Sequence, residues 1–189
     1  MDRKKVGRAT LLGGALWTFG LVAVTLGELE WRGEIADNPV PDWLTAAGVA
    51  VGSVLLLLGL RAFHETYGNG LRLAGRIGYW IAFAGIGISI AAVWPFIFIG
   101  PFVAGIGLTL YGFERVRLRG AASAGAWMHA ICFPAAVVVG VLAALFGYDG
   151  GIGQLAFVGI LILGFGAIGV MLMRTADRPE TAPNPTTAR

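Results

Sequence analysis

The sequence predicts an all-α integral membrane protein with six transmembrane helices in three hairpins and both termini in the cytoplasm. The first observation behind this prediction is composition. The 189 residues are 57% hydrophobic and only 13% charged, whereas about a quarter of the residues of soluble domains are charged. The second is distribution, because the charges form short clusters between long uncharged stretches. This pattern excludes a soluble globular domain, a disordered chain and a nucleic-acid-binding protein of the basic-patch kind.

Uncharged stretches give the individual spans, because a helix needs about 20 apolar residues to cross the hydrocarbon core. The predicted spans are residues 9–27, 43–60, 77–94, 101–114, 124–147 and 152–173. The third and fourth share one uncharged stretch of 37 residues, 77–113, which is too long for a single helix. We expect Trp94-Pro95 and Gly100-Pro101 to break it, because proline lacks the amide donor and disfavours helix in the residue before it.

The segments outside the spans are short. Residues 1–8 form a basic N-terminus, and residues 28–42 form an acidic outer loop whose charges are expected to keep it in water. Residues 174–189 contain three prolines among Thr, Ala and Asn. This composition offers too little apolar surface to offset the entropy of ordering, so we expect a disordered cytoplasmic tail.

The basic residues are the third observation, and they predict the orientation. Thirteen of the fourteen lie on one side of the predicted membrane: Arg3, Lys4, Lys5, Arg8, Arg61, Arg72, Arg76, Arg115, Arg117, Arg119, Arg174, Arg178 and Arg189. The other side carries only Arg32, together with six of the acidic residues. Basic residues near helix ends favour the cytoplasmic side, so both termini are predicted to lie in the cytoplasm and the protein in the cell membrane.

Aromatic and small residues agree with a bundle in a bilayer. Amphipathic rings are expected at the two membrane interfaces; at the outer one are Trp31, Trp43, Trp94 and Tyr148, and at the inner one Tyr67, Tyr79, Trp80, Tyr111 and Trp127. Trp17, in the middle of the first span, is expected to pack between helices or to face lipid tails. Small residues one turn apart predict glycine-rich close helix packing, within the bundle or in an oligomer; they are Gly48 with Gly52, Gly85 with Ser89, and Ala136 with Gly140 and Ala144.

The predicted spans contain little chemistry. They hold no Asp, Glu, Lys or Arg at membrane depth, and because such residues mark ion-coupled transporters, ion coupling is disfavoured. The residues that could line a path for small solutes are Ser53, Ser89, Thr109 and His129. The chain has no Ser-His-acid set, no His-Glu-x-x-His motif and no pair of carboxylates placed for acid–base catalysis, so we do not expect an enzyme.

Two histidines and one cysteine are the candidate metal or haem ligands. His129 and Cys132 share one face of the fifth span, because they are three residues apart. His64 lies on the same side of the predicted membrane, which makes bis-histidine haem ligation compatible with the topology. Two histidines without a further ligand are a weak signal, so neither a cofactor nor a metal is predicted. A single cysteine excludes an intrachain disulfide.

The main basic cluster of the inner loops is Arg72, Arg76, Arg115, Arg117 and Arg119. We expect it to contact anionic lipid headgroups, at about 1 kcal/mol for each well-placed basic residue.

Three hypotheses about the function of the protein follow from the sequence. The first is a structural or accessory protein whose partners are the lipid bilayer and either further copies of itself or a membrane partner subunit. The second is a passive pathway for small solutes, and the third is a redox subunit that binds haem through His129 and His64.

Overall fold

The computed structural model describes residues 2–33, 36–91, 96–119, 124–146 and 150–176. The predicted all-α class is confirmed for these residues, among which there is no strand. The helices are α1 (Arg3–Trp31), α2 (Asp42–Tyr67), α3 (Leu73–Ile90), α4 (Phe96–Arg119), α5 (Ala124–Leu145) and α6 (Gly150–Ala176). Within the described residues, α1, α2 and α3 are long and apolar enough to cross a membrane.

Most helices are longer than the predicted spans, because hydropathy marks only the part that suits the hydrocarbon core. Helix α4 begins at Phe96, five residues before the predicted span, and contains Pro101. The prediction that Gly100-Pro101 interrupts the helix is therefore wrong. Pro101 is the sixth residue of α4, so it removes a single helical hydrogen bond close to the helix start. The other predicted break, Trp94-Pro95, lies outside the described residues.

The start of the predicted disordered tail belongs to a helix instead. Helix α6 continues through Arg174 to Ala176, so the first residues of the predicted tail are helical. Arg174 in the last turn suits the negative end of the helix dipole. Residues 177–189 lie outside the described part of the chain.

The helices pack in chain order, and α1 packs on α6 to close the bundle. Neighbouring helices run in opposite directions. Gly7 near the start of α1 lies against Met173 near the end of α6, and Gly112 near the end of α4 lies against His129 near the start of α5. The starts of α1, α3 and α5 therefore meet the ends of α2, α4 and α6. We call this the basic end, because Arg61, Arg72, Arg76, Arg115 and Arg117 are there.

Helices α3 and α4 are in direct backbone contact at two glycine pairs. A Cβ atom on Gly78 would lie 2.8 Å from the carbonyl oxygen of Gly107, and one on Gly85 would lie 2.7 Å from that of Gly100. Only a hydrogen atom fits at these positions, and such close approach gains dispersion contacts in lipid. The predicted role of Gly85 in close helix packing is confirmed.

A second predicted set of small residues lies between α1 and α2. Gly48 packs against the ring of Phe19, and Gly52 against Trp17 and the carbonyl of Gly13. Close packing is confirmed here too. Of the third set, Ala136 is buried, and the surroundings of Gly140 and Ala144 lie outside what is described.

The outward surfaces of the bundle are apolar. Its centre is formed by α2 and α6, through Leu56, Leu60, Leu161, Phe165 and Ile168, which are fully buried. Facing outward are large apolar side chains such as Val51, Val54 and Leu58 of α2 and Val137, Val138 and Val141 of α5. Soluble monomers rarely expose contiguous apolar surface on this scale. The surface therefore fits a lipid environment.

Candidate functional site

Aromatic and basic side chains meet at the basic end of the bundle, and all of them except the half-buried His64 are buried. They are Phe63, His64 and Tyr67 of α2, Tyr79 of α3, Tyr111 and Arg115 of α4, and His129 of α5, which we call the aromatic–basic cluster. Helical spacing explains the grouping. Phe63 and Tyr67 are one turn apart on α2, as are Tyr111 and Arg115 on α4, so each pair shares a face.

Arg115 is the basic centre of this cluster, and it is only 1% exposed. Its Cζ atom lies 4.2 Å from the ring centroid of Phe63, 4.9 Å from that of Tyr67 and 5.9 Å from that of Tyr111. A guanidinium over aromatic faces is held by cation–π attraction, which strengthens when the pair is desolvated. The position of Arg115 in the sequence predicts a contact with lipid headgroups, but its side chain is inside the bundle.

The other basic residues of the predicted lipid-contact set are placed differently. Arg72, Arg76 and Arg117 are exposed. The guanidinium of Arg117 pairs with the carboxylate of Glu114 at 2.8 Å. The side chain of Arg119 lies outside the described part of the structure.

The expected aromatic belts are divided between surface and interior. Trp31, Trp43, Trp80 and Trp127 are exposed, as interfacial residues would be. Tyr67, Tyr79 and Tyr111, in contrast, are buried within the bundle. The rings of these three tyrosines contact Arg115 or His64 inside the bundle, and not the membrane interface. Trp94 and Tyr148 lie outside the described residues.

The two candidate haem ligands contact different partners. The ring of His64 stacks on Tyr79, with centroids 3.9 Å apart. His129 is fully buried, and its Nε2 lies 2.9 Å from the carbonyl oxygen of Gly164. Because a carbonyl only accepts, Nε2 carries the proton in this contact. A haem iron bound at Nε2 would have to displace that hydrogen bond.

The described residues contain no group of three His, Cys, Asp or Glu side chains positioned to hold a metal ion. Cys132 belongs to α5, but its side chain is not described. His64 and His129 both contact Phe63 or Tyr111 within the aromatic–basic cluster. The structure therefore brings them to the same end of the bundle, within an aromatic surrounding.

The polar residues proposed for a solute path lie in separate helix contacts. Ser53, between α1 and α2, accepts a hydrogen bond from Trp17 Nε1 at 3.0 Å and donates one to the Val49 carbonyl at 2.7 Å. Trp17 therefore packs between helices, one of its two expected positions. Ser89, between α3 and α4, donates to the carbonyl of Gly85 at 3.2 Å.

Thr109 of α4 lies next to His129, the fourth residue of that predicted path. Its hydroxyl donates to the His129 carbonyl at 3.5 Å and accepts from the Phe133 amide at 3.3 Å. In a regular helix these two backbone groups bond to each other. The His129 carbonyl and the Phe133 amide belong to the helical turn that precedes Pro134, which lies inside α5. Neighbouring threonine side chains commonly satisfy backbone groups near a proline in membrane helices, so Thr109 supports α5 at this point.

Sequence reasoning missed the aromatic–basic cluster, although a signal existed. Tyr111 and Arg115 are four residues apart, as are Phe63 and Tyr67, so aromatic and basic residues recur at helical spacing near the same predicted end.

Comparison with known proteins finds no matching family model, no similar curated protein and no similar solved structure.

Proposed function

We propose that this chain is a small multi-pass membrane protein with a structural or accessory role and no catalytic chemistry of its own. One observation carries this proposal. The Ser89 hydroxyl bonds within its own helix. The side chains of Trp17, Thr109 and His129 each bond to a neighbouring helix, at Ser53, the His129 carbonyl and the Gly164 carbonyl. Polar groups used in this way hold helices together in lipid. They are not arranged around a substrate.

The proposed topology has six membrane-spanning helices in three hairpins, with both termini in the cytoplasm of a cell-membrane protein. Three features support it. The helices alternate in direction, five of the arginines predicted to be cytoplasmic lie at one end of the bundle, and the outward faces are apolar. Basic residues at one end favour placing that end in the cytoplasm.

The two alternative functions would use the same residues differently. A solute path would need Ser53, Ser89, Thr109 and His129 to face a continuous route, whereas they lie in three separate helix contacts. A haem site would need the rings of His64 and His129 to leave Tyr79 and Gly164. Both changes would give up interactions that stabilise the bundle, so these functions are less favoured.

Purified protein reconstituted into liposomes tests the proposal. We expect glycerol and water fluxes equal to those of protein-free liposomes, and an optical spectrum without a Soret band. A flux that requires the protein and falls in Thr109→Val would establish the solute path instead, with Thr66→Val as the matched control. Thr66 bonds only within its own helix, to the Ala62 carbonyl. A Soret band that disappears in His129→Ala would establish the haem site.

A further inference from the structure

We propose that Arg76 and Trp80 of α3 form a binding site for one anionic phospholipid, with the lipid phosphate on Arg76 and the upper acyl chain along Trp80. The proposal deepens the proposed function by naming a partner for the basic end. It singles out one arginine from the five that the sequence analysis associated with lipid.

The first step is the arrangement of α3. Arg76 and Trp80 share one outward face, because they are four residues apart, and Ile77 lies three residues before Trp80. All three are exposed, Trp80 at 63%. Arg76 lies one turn, about 6 Å, nearer the basic end than Trp80. This order of charge, then amphipathic ring, then apolar surface matches the order of phosphate, glycerol and acyl chain in a phospholipid.

The second step is that Arg76 differs from Arg61, Arg72 and Arg117, three other exposed arginines of the basic end, in its distance from acidic side chains. The guanidinium of Arg61 pairs with Glu65 at 2.9 Å, and that of Arg117 pairs with Glu114. Arg72 lies within the electrostatic influence of the same Glu114 carboxylate. For Arg76, no acidic side chain lies within ion-pair distance among the residues described. Its charge is therefore open to neutralisation by a lipid phosphate.

The third step is the support behind the site. Tyr79 is buried next to Trp80, with ring centroids 5.2 Å apart, and it stacks on His64 of α2. Trp80 also contacts Phe83, at 5.8 Å. The exposed indole ring is thus backed by aromatic side chains. A supported ring costs less side-chain entropy when a ligand packs against it.

Native mass spectrometry of the full chain in detergent, titrated with phosphatidylglycerol or phosphatidylcholine, tests this proposal. Arg76→Gln should weaken phosphatidylglycerol binding about five-fold, the effect expected for one basic residue at a lipid surface, and weaken phosphatidylcholine binding less, because the choline cation offsets the charge of its phosphate. Arg61→Gln is the matched control. It removes the same charge at the same end of the bundle, but from an arginine that already has a carboxylate partner, so less than about a two-fold change is expected. Arg76→Lys should retain most of the affinity, which shows that charge is what matters.

Three outcomes would overturn the proposal. The first is that Arg76→Gln would leave phosphatidylglycerol binding unchanged, and the second is that Arg61→Gln would weaken this binding as much as Arg76→Gln does. The third is that inorganic phosphate in millimolar excess would displace the lipid completely. The last outcome would mean that the site recognises free phosphate. Detergent micelles have no inner and outer side, so this experiment is independent of the proposed orientation, and its failure would not be confused with a failure of the proposed function.

Discussion

Replacing Phe63 with alanine is expected to lower the free energy of unfolding in detergent by about 3–5 kcal/mol. Phe63 is fully buried where α2, α4 and α5 meet, and its ring contacts Tyr111 and His129. It also lies directly under the guanidinium of Arg115. Removing the ring leaves a cavity and takes away the closest of the aromatic faces that stabilise a buried charge. Denaturant titration of the purified variant measures the loss.

Phe113→Ala is the matched control for this prediction. Phe113 lies on α4 between Tyr111 and Arg115 of the cluster, but its side chain faces outward and is 51% exposed. The same atoms are removed without opening a cavity, so a change of less than about 1 kcal/mol is expected. Equal losses in the two variants would show that the aromatic–basic cluster does not stabilise the bundle.

Replacing Gly85 with alanine is expected to destabilise the protein by about 1–3 kcal/mol. Its added methyl group would meet the Gly100 carbonyl at 2.7 Å and the backbone of Ala104. Backbone atoms cannot rotate away as a flexible side chain can, so α3 and α4 would have to separate. The separation would also loosen the contact between Gly78 and Gly107, three residues or more away along each helix. Thermal unfolding in detergent measures the loss.

Gly87→Ala provides the control on the same helix. Apart from the neighbouring backbone of α3 itself, no atom of the described residues lies within 4 Å of a Cβ built on Gly87, so the methyl group meets open space. Alanine has a higher helix propensity than glycine by about 1 kcal/mol, so this variant is expected to be as stable as the parent or more stable. If Gly85→Ala were equally well tolerated, this would show that α3 and α4 are not in direct backbone contact at Gly85.

The helices were predictable because hydropathy and charge are local properties of the sequence. Every predicted span overlaps a helix of the structure, and α5 begins at the predicted residue, Ala124. The start of α4 was not predictable from proline alone. Pro101 lies near the start of the helix, where one missing hydrogen bond costs little, and Gly100 beside it packs against α3. The decisive contact comes from another helix, which a local rule does not include.

The aromatic–basic cluster was not predictable for the same reason. A basic residue near a helix end suggests a headgroup contact, and Arg115 fits that rule by position. Its burial depends on Phe63 and Tyr67, more than forty residues earlier in the chain. Likewise, the polarity of Ser53 is visible in the sequence, but its bond to Trp17 is a property of the α1–α2 contact.

Cysteine accessibility in intact cells tests the six-span topology most directly. In a Cys132→Ala background, single cysteines are placed by Asp37→Cys, Pro95→Cys and Asp149→Cys in the proposed outer loops, and by Asn69→Cys, Ala122→Cys and Thr187→Cys in the proposed cytoplasmic segments. A membrane-impermeant maleimide should label the first three in intact cells and the last three only after permeabilisation. Labelling of Ala122→Cys and Thr187→Cys in intact cells would contradict the account, because it is the result expected if only α1, α2 and α3 cross the membrane.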